Sequence, residues 1–169
     1  DKPGKIVLVA PTTGLVAQQA KMAKQFVNVN ENKIIVLTGN TKIPQRAKMW
    51  KDAKIVIATP HVIRNDARNG RIMLSDIDLL IVDEAHHATG SNSVAQLGDM
   101  YLESSSSAMV LAATASPGVK PNRVMEVVAR LGIERLHVTK REEDLVQPYV
   151  TAMEITKHDI ILPQNLLEI

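Results

Sequence analysis

Short aliphatic runs alternating with helix-period segments set the strongest limit on what this chain can fold into. Ile6-Val7-Leu8-Val9-Ala10, Ile34-Ile35-Val36-Leu37, Ile55-Val56-Ile57-Ala58, Leu79-Leu80-Ile81-Val82 and Ala108-Met109-Val110-Leu111-Ala112 are continuous apolar stretches. Each has the length of a strand buried on both faces. Between them, Leu15, Val16, Ala20, Met22, Ala23, Phe26 and Val27 recur at helical spacing, and Ile43 to Asp52 predicts a short helix. Thr59-Pro60 reads as an N-cap followed by proline at the first helical position, with Gly70 as the stop near Asn69. Val94 to Leu102 and Asn122 to Leu131 predict two more helices, the second closed by Gly132. Strand–helix alternation of this kind predicts an α/β fold with a parallel sheet and helices on its faces. Arg135 to Thr139 predicts a sixth strand, and Thr151 to Leu162 a further strand-like segment.

The 169 residues suit one domain, and 45% apolar content supplies a core in which 2% aromatics leave the filling to Ala, Val, Ile, Leu and Met. The seven methionines have no motif spacing and read as core filler. With no cysteine, disulfides and thiolate metal sites are excluded. No apolar stretch reaches the ~20 residues that span a bilayer, so no membrane partner is expected. A net charge of +2 permits a nucleic-acid partner without arguing for one. Asp1-Lys2-Pro3-Gly4-Lys5 lacks signal-peptide character and reads as a turn entering a strand, as if cut from a longer chain.

The chemistry centres on Asp83-Glu84-Ala85-His86, which directly follows Leu79–Val82. A buried strand ending in two acids delivers both carboxylates to the rim of a parallel sheet, where α/β proteins bind ligands. One acid can hold Mg²⁺ through water, and the other can orient or deprotonate an attacking water. This is the Walker B half of a nucleotide-hydrolysis site. A glycine-rich loop of the form G-x-x-x-x-G-K-[ST] does not occur in the sequence. His86 and His87 beside the acids invite a metal-site reading, but the spacing is not H-E-x-x-H, and adjacent histidines on a strand or helix point apart.

Other strand ends carry small or hydroxyl-bearing residues. Pro11-Thr12-Thr13, Thr38-Gly39-Asn40 and Thr59-Pro60-His61 would lie along one rim, where exposed N–H groups attract phosphates. Each is also explained as an ordinary helix cap or turn. Thr114-Ala115-Ser116 places two hydroxyls where a parallel sheet could bring them beside His86; alone it reads equally as a turn. Lys42, Arg46, Lys48, Lys51, Arg64, Arg68 and Arg71 are candidate phosphate contacts or solvated helix faces.

Taken in order, Ala10–Val16, Leu37-Thr38-Gly39, Ala58–His61, Asp83–His86 and Thr114–Gly118 resemble motifs Ia, Ib, II and III of the superfamily 2 helicases. Nearly the whole chain takes part. Within that superfamily the chain resembles the branch of the archaeal Hef helicase-nuclease and the Fanconi anaemia M-type proteins. The pointers are Asp83 to Gly90, the T-A-S-P-G form of motif III, Ala58 to Ile72, and Leu131-Gly132-Ile133 leading into Arg141–Asp144 and Pro148-Tyr149-Val150. The resemblance implies an incomplete RecA-like motor domain over residues 1–150. Residues 151–169 would be a last strand leading into a helical insertion or second motor domain.

The resemblance also implies ATP and Mg²⁺ as cofactors. Asp83 would bind the metal, Glu84 would activate water, and Ala85 and His86 would complete the nucleotide side. Thr114, Ala115 and Ser116 would couple that side to the nucleic acid, with His86 as the link. Pro11, Thr12, Thr13, Gly39, Thr59, Pro60 and His61 would hold one strand by its phosphates. The intact parent is expected to be an ATP-dependent DNA helicase or translocase acting on branched DNA, as in DNA repair. It would be nucleoid-associated in a prokaryote or nuclear in a eukaryote. The missing phosphate loop and second domain imply that these residues alone do not hydrolyse ATP, and that the Ala108–Ala112 strand has an unpaired edge. An RNA-directed relative and a non-catalytic nucleic-acid-binding remnant remain open alternatives.

Overall fold

The computed structural model describes residues 4–116, 120–139 and 156. The chain divides into two units, Asp1–Arg135 and Leu136–Ile169. The first contains five strands, β1 (Lys5–Val9), β2 (Ile34–Leu37), β3 (Ile55–Ala58), β4 (Ile77–Asp83) and β5 (Val110–Ala113). Five helices accompany them: α1 (Thr13–Phe26), α2 (Ile43–Asp52), α3 (Pro60–Arg68), α4 (Ser93–Ser104) and α5 (Pro121–Leu131). All strand pairs are parallel, in the order β2-β3-β1-β4-β5. This is the RecA-like arrangement of a parallel sheet flanked by helices.

The sequence pattern accounts for most boundaries. Aliphatic side chains on both faces of β3 leave all four of its residues buried. Pro44 near the start of α2 and Pro60 at the start of α3 occupy positions where a missing N–H costs little. Gly70 (φ 66°) and Gly132 (φ 61°) take the left-handed conformation just beyond α3 and α5, where a side chain would be strained.

Helices cover the two faces unequally. Trp50 of α2, Val62 and Ile63 of α3, Leu97 and Tyr101 of α4 and Leu131 of α5 share a core with Val7, Val9, Leu37, Val56, Leu80 and Val82. On the other face, Val16 and Ala20 of α1 pack with Ala10, Ile34, Ile55 and Ile57. That second face is thin over the β5 side: Ile6 is 37% and Leu111 56% exposed. β5 is also the last strand of the sheet, so its outer edge has no neighbour among the described residues.

Two expectations need correction. Residues 133–139 are described but form no strand, and Leu136 and Val138 are exposed. A strand exists by pairing, and no described strand lies alongside to accept its hydrogen bonds. The methionines are not uniformly core filler: Met22, Met73, Met109 and Met125 are exposed, while Met49 and Met100 pack against the core. A flexible thioether tolerates either setting. The expected segment at 151–162 and the boundary at residue 150 fall outside the described residues.

Candidate nucleotide and nucleic-acid rim

Because every strand is parallel, all five carboxyl ends reach the same edge. Register makes them level: Leu37 and Val9 both align with Ala58, Val9 with Val82, and Asp83 with Ala113. Read across the sheet, the rim carries Thr38-Gly39-Asn40, then Thr59-Pro60-His61, then Pro11-Thr12-Thr13, then Asp83-Glu84, then Thr114. The chain leaves β1 toward one face through α1 and reaches α4 on the other face after β4. A crevice forms where neighbouring connections diverge in this way, and it is the usual ligand site of open α/β sheets.

Asp83 ends β4 half-buried. Its Oδ2 accepts from Gln19 Nε2 of α1 (3.1 Å) and its Oδ1 from the Glu84 backbone N–H (3.0 Å). Glu84 stands at φ 52°, the single non-glycine residue with positive φ among the described residues. Such a conformation costs about 1–3 kcal/mol and persists where the surroundings impose it. It turns the chain sharply into the 3-10 turn Ala85–His87, with Ala85 buried beneath. The Glu84 side chain is left 36% exposed, at the rim rather than in the core.

His86 Nδ1 lies 2.8 Å from Thr114 Oγ1 and 3.3 Å from Glu84 Oε2. A proton on Nδ1 serves both oxygens. With the proton on Nε2, the Thr114 hydroxyl donates instead. Thr114 Oγ1 also accepts from the Ser116 backbone N–H (3.1 Å). Ser116 thus enters through its backbone, and Ala115 is exposed between the two. The two histidine rings do not point apart. The tight turn brings their centroids to 4.2 Å.

The other rim residues divide. Thr12 is a working cap: its Oγ1 accepts from Leu15 N–H (3.2 Å). Thr13 follows as the first residue of α1 and is exposed. Thr59 occupies the N-cap position of α3 without a side-chain cap bond. Pro60 is buried, while exposed His61 meets Ser93 Oγ through Nδ1 (3.2 Å). Pro11, Pro60, His61 and His87 line one cleft of about 160 Å³, so the turns after β1, β3 and β4 meet there. Gly39 is exposed at its turn.

Among the candidate basic residues, Arg46 is not available to a phosphate. It is buried, with its guanidinium bound to Asp66 and to the carbonyls of Thr38 and Thr41. Arg71 also binds Asp66, and Arg64 and Arg68 bind Gln96 of α4. Lys42, Lys48 and Lys51 are exposed. Sequence reading missed Gln19, whose amide orients Asp83. The signal for it is weak: a polar residue on a helix that begins at the same rim.

Among the described residues no group of three or more His, Asp and Glu side chains gathers that could enclose a metal. Mg²⁺ does not need one. It keeps several waters and takes one or two carboxylates with phosphate oxygens. A half-buried carboxylate with one oxygen on an amide and one on a backbone N–H fits that requirement.

A level parallel rim with an acid pair at one end and hydroxyl-bearing turns at the other defines a helicase-type motor domain. The DEAD/DEAH box helicase family model matches residues 1–124. The chain belongs to that family.

A Methanocaldococcus jannaschii protein bearing the name of an ATP-dependent RNA helicase, MJ1505, is 40% identical over 97% of this chain and 21% of its own length. The Fanconi anemia group M protein of Gallus gallus is 30% identical over 96% of the chain and 8% of its own. The ATP-dependent DNA helicase MPH1 of Coccidioides immitis is 36% identical over 85% and 13%. The crystal structure of the Pyrococcus furiosus Hef helicase domain superposes with a TM-score of 0.83 at 38% identity, over 90% of this chain and 32% of that one. These likenesses place the chain with the Hef and Fanconi anaemia M-type branch. The chain spans about a fifth of the first relative's length and less of the other two.

Proposed function

We propose that this chain is the larger part of the first motor domain of an ATP-dependent DNA helicase or translocase that works on branched or forked DNA. The observation that carries the proposal is the level rim, on which His86 and Thr114 join the acid pair to the segment after β5. Asp83 would hold Mg²⁺ through water, and the bound ion with its triphosphate supplies the phosphoryl group to be transferred. Glu84, angled outward by its left-handed backbone, would orient the attacking water and take its proton. The backbone and hydroxyls of Pro11–Thr13, Gly39 and Thr59–His61 would hold phosphates of one strand. Such contacts position the strand but carry little sequence information.

Hydrolysis would need a phosphate loop and a second motor domain supplied by the rest of the polypeptide. The unpaired edge of β5 and the thin apolar face at Ile6 and Leu111 support this, because both are surfaces that a further strand and helix would cover. These residues alone would not turn over ATP appreciably.

The name of the M. jannaschii relative favours a second reading, an RNA-directed ATPase of the same build. A non-catalytic binding remnant is less well supported, because a strained Glu84 beside a braced Asp83 is costly to retain without chemistry. The deciding experiment is steady-state ATP hydrolysis by the intact gene product with forked DNA or duplex RNA. Stimulation by forked DNA is expected. Stimulation by RNA alone favours the second reading, and no ATPase under any condition favours the remnant.

A further inference from the structure

Asp66 of α3 has a fully buried side chain, and two guanidinium groups meet it. Arg46 Nη1 of α2 lies 3.4 and 3.5 Å from its two oxygens, and Arg71 Nη1, from the turn after α3, lies 3.0 Å from Oδ1. A buried carboxylate needs such partners, since an unpaired charge there is strongly unfavourable. The two arginines differ in what else they do. Arg46 has further donors, and two of them go to one turn: Nε to Thr41 O (2.8 Å) and Nη2 to Thr38 O (3.3 Å).

Arg46 therefore grips the first and last residues of the Thr38–Thr41 turn. Bonds within the turn complete the clamp: Thr41 N–H to Thr38 O (3.0 Å), Thr38 N–H to Thr41 Oγ1 (3.1 Å) and Asn40 N–H to Thr38 Oγ1 (3.3 Å). Gly39 and Asn40 are exposed at the apex. A Cβ on Gly39 would meet nothing within 4 Å, and its φ is not left-handed. Neither internal packing nor backbone strain calls for glycine there. Close approach of an outside group to the backbone does.

We infer that Arg46, oriented by Asp66, is a positioning residue for polynucleotide binding, holding the Thr38–Thr41 turn so that its Gly39–Asn40 apex meets a phosphate. Arg46 itself does not touch the phosphate. The inference rests on the proposed reading of the rim as a nucleic-acid surface. Arg71 supplies an internal comparison, because it braces the same carboxylate and makes no bond to the turn.

The test uses the intact gene product and a labelled single-stranded oligonucleotide. Affinity is measured over a salt series for wild type, Arg46→Lys and Arg71→Lys, together with thermal unfolding and the KM for ATP. Lysine keeps the charge but cannot donate three ways at once. Arg46→Lys is expected to weaken binding ~5- to 10-fold and to lower the salt slope by about 1, with the KM for ATP unchanged. Arg71→Lys should lower the melting temperature comparably and bind as wild type does. The inference is overturned by wild-type affinity in Arg46→Lys, or by affinity losses in both variants that follow their losses of stability. If Arg46→Lys does not fold, Asp66→Asn takes its place: weakened binding supports the inference and undiminished binding overturns it. Wild-type protein that binds no oligonucleotide overturns the rim reading itself, and this inference with it.

Discussion

Thr114 Oγ1 and His86 Nδ1 lie 2.8 Å apart, across 28 residues of sequence, and join the turn after β4 to the segment after β5. The contact exists because β4 and β5 are neighbours in register, with Asp83 opposite Ala113. It is placed to make the acid pair sensitive to the position of the segment carrying Ala115 and Ser116. Thr114→Val keeps the shape and removes the hydrogen bond. We expect the intact protein to keep its nucleic-acid affinity and lose most of its nucleic-acid stimulation of ATPase. Stimulation equal to wild type would show that this contact carries no coupling.

Glu84 links strain to chemistry. Glu84→Gln should leave nucleotide binding near normal and abolish turnover in single-cycle kinetics, because the amide cannot accept a proton. Glu84→Gly should abolish turnover as well, yet stabilise the domain by about 1 kcal/mol, since glycine takes φ 52° without strain. Chemical denaturation of both variants checks the second point. Activity retained in Glu84→Gln would mean that another residue activates the water.

Tyr101 gives a pH prediction. Its buried hydroxyl donates to Ile77 O (3.1 Å) and accepts from Met109 N–H (3.2 Å), fixing the entry to β5. Burial raises its pKa above the ordinary 10.0, the Met109 bond opposes this, and the charge of Asp78 adds to the rise. The folded state thus holds the proton more tightly than the unfolded chain. That contribution is fully present below pH 10 and is lost as pH climbs through the higher folded value. Tyr101→Phe should cost about 1–3 kcal/mol at neutral pH and show a shallower alkaline decline than wild type. Parallel declines in urea unfolding from pH 9 upward would contradict it.

Gly98 gives a packing prediction. A Cβ there would collide with the Arg130 carbonyl and the Leu131 side chain, where α4 crosses α5. Gly98→Ala gains helix propensity but must push the helices apart. We expect a net loss of ~1–3 kcal/mol, read by thermal unfolding. Increased stability would show that the crossing yields easily.

The sequence discloses the frame of this domain more readily than its wiring. β3 and α2 are legible to the residue because Ile55–Ala58 is wholly apolar and Pro44 and Asp52 bracket the helix. The acid pair is legible because the sheet is parallel, which forces every strand end to one rim. The brace on Asp83 is not, because Gln19 is 64 residues away and resembles any polar helix residue. Arg46 is misread as a surface charge for a related reason. Its partners, Asp66 and two backbone carbonyls, are set by how α2, α3 and the turn after β2 meet. Residues 135–139 show the opposite failure: their alternation suits a strand, but a strand needs a neighbour.

The central claim is that one sheet edge serves nucleotide at the β4–β5 end and polynucleotide at the β2–β3–β1 end. Hydrogen exchange of the intact protein tests it most directly, with a single-stranded oligonucleotide and Mg²⁺-nucleotide added separately. The account predicts that the oligonucleotide slows exchange at 38–41, 59–62 and 12–15, and that the nucleotide slows it at 83–87. Protection by the oligonucleotide at none of the three turns, or protection of all of them by nucleotide alone, would contradict it.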